Sequence, residues 1–403
     1  QGDILARIMK TLVRYGELFG ADSMVPVTSQ YNHLVTSFGL KALTPVYELM
    51  DRLIESGNVS KQKFSADPRP LDPIVFKNFM YSRQEDYEKQ LTRLGIMEKD
   101  AYTCTCYMKE VGNTPAMGEV LSWSESSAVV YANSVLGARC NRNSGIIDLM
   151  GSVAGFVPNF GLLTDEGRKA TWIVRIETTK KPEAQLLGSA IGMKVMAEVP
   201  FIVGLDQWLP GGLDEDAKTY LKDFGAATAS NGAVGLYHVE NITPEAVKYG
   251  KDLIKENAQV YVVDDAELER VYKSYPVIWK KKDATPKLCF MGCPHMSLNQ
   301  LIDWTKKIEE GLKKYGKTKV CIPTVFTAAP AVLKKFEETP YAATLRQAGG
   351  ITSYICPLMY MNNPLSEKMP VITSSNKLRT YTSARYYTDA EILEQITKGG
   401  MTR

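Results

Sequence analysis

The chain has 403 residues, 44% of them hydrophobic and 23% charged, and 48 lysines and arginines against 45 aspartates and glutamates leave a net charge of +3. That balance gives no electrostatic reason to expect nucleic acid, and the one tight basic run, Lys280, Lys281 and Lys282, reads as a solvated loop. No apolar stretch is long enough for a membrane span and no signal-peptide pattern opens the chain, so a cytoplasmic setting without a membrane partner is expected.

At this length one core usually divides, which points to two or three subdomains. The seven cysteines are an odd number without framework spacing, so free thiols in a reducing compartment are expected, some of them available as ligands. Three histidines, His33, His238 and His295, are too few for a zinc site built mainly from imidazoles.

Apolar residues Ile4, Ile8, Leu12, Leu18 and Phe19 recur at helical spacing and predict an amphipathic helix over 1–20. A short strand at 24–28 leads into a polar loop carrying Ser29, Asn32 and His33. A second helix is expected over 42–56, and Pro68, Pro70 and Pro73 mark a long loop before helices near 74–79 and 84–94.

From 102 to 145 the chain is dense in polar groups. Thr103, Cys104, Thr105 and Cys106 precede Glu119, Glu125, Ser126 and Ser127, and Asn133, Arg139, Cys140, Asn141 and Arg142 follow. They are interleaved with apolar residues, which suits neither a surface loop nor an unpaired core. The segment reads as a site, with a buried polar network between domains as the alternative. Beyond it come a small-residue helix and turn over 145–161, strands at 170–176 and 198–204, and helices at 185–196 and 214–230.

After 232 the pattern becomes regular. Strands at 235–239, 259–263, 287–291, 319–323 and 351–356 alternate with helices at 243–257, after Asp264 or Asp265, at 297–315 and at 329–348. A strand at 371–372 leads to a loop at 374–377, and Thr388 with Glu391 caps a last helix. Such alternation means βαβ units and an α/β fold with mostly parallel sheets in α/β/α layers. The expected division is 1–230, holding the polar segment; 231–350, carrying Cys293; and 351–403, returning to the site.

Ligands bind outside the carboxyl ends of parallel strands. Cys293 follows one such strand, Cys356 ends another and residues 374–377 follow a third, so the topology predicts that they converge. Gly292, Cys293, Pro294 and His295 make a tight bend, and Ser297 with Gln300 forms a capping box just beyond it. A helix N-terminus beside the thiol favours thiolate, which leaves ligand and nucleophile open beside an ordinary core cysteine. Cys293 and Cys356 are each followed by proline, as in cysteine runs that bind iron–sulfur clusters. Cys289 and Cys321, inside expected strands, read as small buried hydrophobes. A third ligand from Cys104 or Cys106 would leave one iron open as a Lewis acid, which suits loss of water from a hydroxy acid.

The runs Gly118-Glu119, 125–129, 131–139 and Asn141-Arg142, with Gly292-Cys293-Pro294-His295, resemble the large, catalytic subunit of the aconitase X family over nearly the whole chain. The resemblance implies an aconitase-like fold and an iron–sulfur hydro-lyase, with dehydration of cis-3-hydroxy-L-proline or mevalonate 5-phosphate as family activities. It also implies a separate small swivelling-domain subunit as partner, since the family's extra small domain is not found in this chain. Carried over by position, Cys104, Cys293 and Cys356 are the cluster ligands. The family usually has Thr-Cys-Thr-Pro-Tyr where this chain has Cys106 in place of proline, so either Cys104 or Cys106 is the ligand. Cys140 stands where threonine is more usual.

His295, Glu125 and Lys377 are the catalytic candidates. His33, Asn133, Arg139, Asn141, Arg142 and Ser375 are the substrate-binding candidates, the arginines because a guanidinium matches a carboxylate bidentately. Each has a bland alternative: internal salt bridges with Glu119 or Glu125 for the arginines, turn hydrogen bonds for the histidines, a solvated loop for Ser375 and Lys377. Two rival functions are a metal-free enzyme using Cys293 with His295, and an iron–sulfur sensor or binding module without catalysis.

Overall fold

The computed structural model describes residues 2–71, 79–98, 101–364 and 366–400. Apart from Phe79, the helix expected near 74–79 lies outside them, as does Pro73. Two parallel sheets organise the described chain. One has four strands in the order His238–Val239, Pro200–Val203, Ala170–Ile176, Ile254–Val263; the other has five, in the order Gly350–Ser353, Thr324–Ala328, Leu288–Met296, Val371–Thr373, Arg385–Tyr386. Two smaller ladders lie in the N-terminal part: a parallel pair, Tyr31–Leu34 with Lys63–Ala66, and an antiparallel pair, Met24–Pro26 with Phe156–Pro158. The α/β expectation with mostly parallel sheets therefore holds.

The four-stranded sheet is packed by the helices Ala184–Val195 and Glu215–Asn231. They approach backbone to backbone because Gly188 faces Phe224, where a Cβ would stand 2.3 Å from a carbonyl oxygen. In the five-stranded sheet, the central strand sorts its residues by period two. Cys289 and Met291 pack with Trp304, Ile308, Phe326 and Phe336 on one side, and Leu288 and Phe290 pack with Ile355, Met361 and Leu378 on the other.

The strand does not end at Gly292 as the bend there suggests; it runs to Met296 through a bulge. Strict alternation would put Cys293 on the side of Cys289 and Met291. The bulge instead places it with Leu288 and Phe290, while Met296 rejoins the first side. Gly292 makes this possible: its φ is +101°, and a Cβ there would meet Thr327 O at 2.3 Å. The Ser297–Gln300 capping box forms as expected, with both bonds present.

Several expectations are corrected. Residues 319–323 are not a strand; the ladder occupies Thr324–Ala328, because Pro323 has no N–H to give and offers only its carbonyl, which accepts from Cys289 N at 2.8 Å. Cys321 is accordingly exposed rather than buried. The helix expected over 329–348 is two helices, Pro330–Glu337 and Pro340–Gln347, divided at Pro340. His33 lies on a strand rather than in a loop, and the helix starting at Pro244 ends at Tyr249, followed by a 3-10 turn at Gly250–Leu253 and then the strand Ile254–Val263. The divisions at 230/231 and 350/351 cut through sheets, since each sheet takes strands from both sides of one of them. Parallel strands need crossovers, so neighbours in a sheet are distant in the chain.

Candidate active site

The polar segment resolves around the helix Ser126–Ser134, which is enclosed almost throughout. Its N-cap is the Glu125 side chain, which accepts from Ala128 N at 2.6 Å. Glu125 also accepts from Ser127 Oγ at 2.7 Å and from Lys377 Nζ. Lys377 arrives from the helix Asn376–Tyr381, capped by Ser375, immediately after the strand Val371–Thr373. Burial works against the Glu125 carboxylate, but Lys377 and the two hydrogen bonds outweigh it and hold its pKa down at about 2. The Lys377 ammonium is likewise opposed by burial and raised on balance, chiefly by the Glu125 carboxylate and its hydrogen bond.

This pair forms part of the wall of a cavity of about 470 Å³ that also receives Cys104, Cys293 and Cys356, with Asp67, Arg142 and His295. Cys293 enters through the bulge, and Cys356 stands at the start of the helix Pro357–Met361, just past the strand Gly350–Ser353. A backbone amide lies beside two of the sulfurs, His295 N at 3.4 Å from Cys104 Sγ and the Met359 amide next to Cys356, while the Ser375 hydroxyl beside Cys293 donates to that residue's carbonyl. Burial pushes the Cys293 thiol up to about 11, and Cys104 and Cys356 rise further for the same reason. A metal-free nucleophile needs the opposite shift.

A second cavity, of about 720 Å³, shares Ser124, Ser126 and Arg142 with the first and extends to Tyr15, Phe19 and Phe160. At the shared wall Arg142 has a buried Nη1 with no hydrogen-bond partner among the described residues. Burial lowers its pKa, so the guanidinium is under-compensated where it stands.

Residues 1–166 match the model of the aconitase X first domain, and residues 170–273 match that of the aconitase X second domain. The chain is 32% identical over 352 residues to the phosphomevalonate dehydratase large subunit of Thermococcus kodakarensis, covering 87% of this chain and 83% of that one. The chain belongs to the aconitase X family.

Other aconitase X relatives agree. The phosphomevalonate dehydratase large subunit of Methanocaldococcus jannaschii is 27% identical over 99% of this chain and 96% of its own. The cis-3-hydroxy-L-proline dehydratase of Hypocrea jecorina is 32% identical over half of this chain and a third of its own. Among solved structures, Thermococcus kodakaraensis aconitase X in its holo-form superposes with a TM-score of 0.80 at 27% identity, over 97% of this chain and 95% of that one.

The donor set of this aconitase X chain fits an iron–sulfur cluster. A cluster takes its thiolates one per iron around its periphery, and three thiols lining one cavity suit that arrangement. Cys106, by contrast, is fully enclosed in the hydrophobic core against the His33 ring, outside the cavity.

The remaining candidates divide. His295 lines the cavity but is fully buried, with Nε2 facing Ile355 O at 3.1 Å and Nδ1 facing Thr103 Oγ1 at 2.9 Å. A carbonyl only accepts, so Nε2 carries the proton; burial lowers the pKa to about 4 and keeps the ring neutral. Ser375 caps its helix and donates to Cys293 O, so it orients the bulge. Asn141 lines the larger cavity with its amide engaged by Phe160 O and Leu162 N. Asn133 is fully buried and joins Cys140, Gly235 and Arg168 in a buried polar network. Arg139 turns away to Asp165 and Leu163 O rather than to Glu119 or Glu125. His33 is fully buried behind Asp67 and lines neither of these two cavities.

Sequence reasoning missed Asp67. It follows the strand Lys63–Ala66, so the rule that ligands sit beyond the carboxyl ends of parallel strands would have found it had that strand been recognised.

Proposed function

We propose that this aconitase X hydro-lyase is the large subunit of a two-subunit phosphomevalonate dehydratase holding an iron–sulfur cluster on Cys104, Cys293 and Cys356. The observation that carries the reading is the meeting of those three thiols, Lys377 and an unpaired Arg142 on one cavity. When bound, the cluster would supply a Lewis acid for the departing hydroxyl. The chain's own residues do the rest. Lys377 balances thiolate charge while Glu125 keeps it in place, and Ser375 orients the loop that aims Cys293. Arg142 offers its free Nη1 to an anionic group of the substrate.

The substrate choice is supported in two ways. Relatives named phosphomevalonate dehydratase large subunit match over 83% and 96% of their own lengths, against 33% for a hydroxyproline dehydratase. Two cavities that share Arg142 in their walls also suit an elongated acid with an anionic group at each end. The partner is a small subunit, as the large-subunit relatives' names imply.

Anaerobic co-production with the small subunit, followed by iron and sulfide analysis and assay on mevalonate 5-phosphate and cis-3-hydroxy-L-proline, tests this. Iron is expected to vanish in Cys104→Ala and to persist in Cys106→Ala. An iron-free enzyme that still turned over would end the cluster assignment.

A further inference from the structure

Loss of water from a hydroxy acid removes a proton from carbon as well as the hydroxyl, and the groups around the cavity differ in their freedom to accept it. Glu125 is committed to Lys377, Ser127 and Ala128, and both nitrogens of His295 are occupied. Asp67 is the other carboxylate among the described lining residues. Its side chain is 12% exposed, and its Oδ1 is enclosed, 3.4 Å from His33 Nε2 and without a hydrogen bond of good geometry.

We propose that Asp67 is the base that takes the carbon-bound proton, with His33 as the positioning residue that holds its carboxylate in the cavity wall. This rests on the dehydration site described above. The C–H electron pair becomes the second carbon–carbon bond as the C–O bond breaks with its pair on oxygen. The proton on Asp67 then passes to that oxygen, so one water leaves and the carboxylate is restored.

Geometry supports both roles. Asp67 and His33 stand at the carboxyl ends of paired strands, and the loop beyond Asp67 is fastened to the thiol wall by Cys356 N donating to Arg69 O at 2.8 Å. His33 cannot reach substrate, being fully enclosed. Its Nδ1 lies 2.8 Å from Ser65 Oγ, which Asn113 holds in turn at 2.9 Å, and Trp123 packs edge-on against the ring. Burial would neutralise the imidazole, but Cys106 and Asp67 outweigh it and raise its pKa to about 10, so a cation backs the carboxylate. The charged and titratable groups facing Asp67 include His33, Glu125, Lys377, Tyr87, Cys104 and Cys356. Burial, with Glu125, raises its proton affinity above that of an ordinary carboxylate, while His33 and Lys377 oppose the rise.

The test uses the iron-loaded two-subunit enzyme. Asp67→Asn is expected to lower kcat by at least ~100-fold, with KM and iron content little changed and with partial recovery in Asp67→Glu. His33→Gln is expected to cost about 10-fold in kcat and to move the acidic limb of the kcat/KM profile to higher pH. The sign follows because the imidazolium is what lowers the proton affinity of Asp67. An Asp67→Asn enzyme with near-normal kcat, or one that loses its iron, would overturn the role of Asp67 alone. Absence of turnover by the unaltered enzyme on either hydroxy acid would overturn the dehydration reading and this proposal with it.

Discussion

The two larger parallel sheets differ, and the buried arginines beside them show why one borders a site. Beside the four-stranded sheet, Arg168 directs Nε and Nη2 to Glu245, Nη2 also to Asn133 O, and Nη1 to Asn133 Oδ1 and Leu162 O. It is a saturated charge, and its neighbour His238 donates from Nε2 to the Arg168 carbonyl at 2.8 Å. Near the carboxyl edge of the five-stranded sheet, Arg142 keeps a buried nitrogen without a partner among the described residues, on the wall of the cavity that three free cysteines also line. A buried charge with every donor used is architecture; one left open costs free energy that a ligand can recover.

The sharpest way to break this contrast is to exchange the consequences of the two arginines. Arg168→Met should strand Glu245 and cost ~3–5 kcal/mol in chemical denaturation. Arg142→Gln should leave the denaturation midpoint nearly unchanged and raise KM about 10-fold or more, the worth of ~1.5–3 kcal/mol for a hydrogen bond to a charged group. If Arg142→Gln instead destabilised the fold with KM unmoved, Arg142 would join Arg168 as architecture.

The histidines give a second, smaller contrast that pH resolves. Burial lowers His238 to about 4, so its contribution is present above the unfolded value near 6.5 and is lost as pH falls toward 4. His33 is raised to about 10, so its contribution is complete below 6.5 and is lost as pH rises through 10. Stability of His33→Gln relative to the unaltered chain should therefore improve on the alkaline side, and that of His238→Gln on the acidic side. Matching slopes in both variants would contradict the assignment. The smallest effect belongs to Arg139→Ala, whose partner Asp165 is 87% exposed: about 1 kcal/mol or less, with KM unmoved.

Much of the site was legible because its chemistry is local in the chain. The Cys-Pro pairs, the capping box at Ser297 and the density of polar groups from Glu119 to Arg142 each mark their place without knowledge of the fold. Strand boundaries were less legible where apolar runs and prolines compete, as at Pro323. Arg139 and Arg142, three residues apart and alike in composition, could not be told apart. One meets Asp165 in a later loop, and the other meets a cavity assembled from many separate stretches of the chain.

The sequence by itself determined the α/β class, because periodicity and turn residues are properties of neighbouring positions, and its motif runs carried the family resemblance, while Cys104 and Cys106 stayed open as alternatives. The tertiary structure decided what those residues face. The bulge at Gly292 moved Cys293 from the side of Cys289 to the side of the cavity, and the ladder between 31–34 and 63–66 set His33 behind Asp67. Both outcomes depend on contacts between segments far apart in the chain, where a single inserted residue or an unpredicted strand reverses which face a side chain occupies.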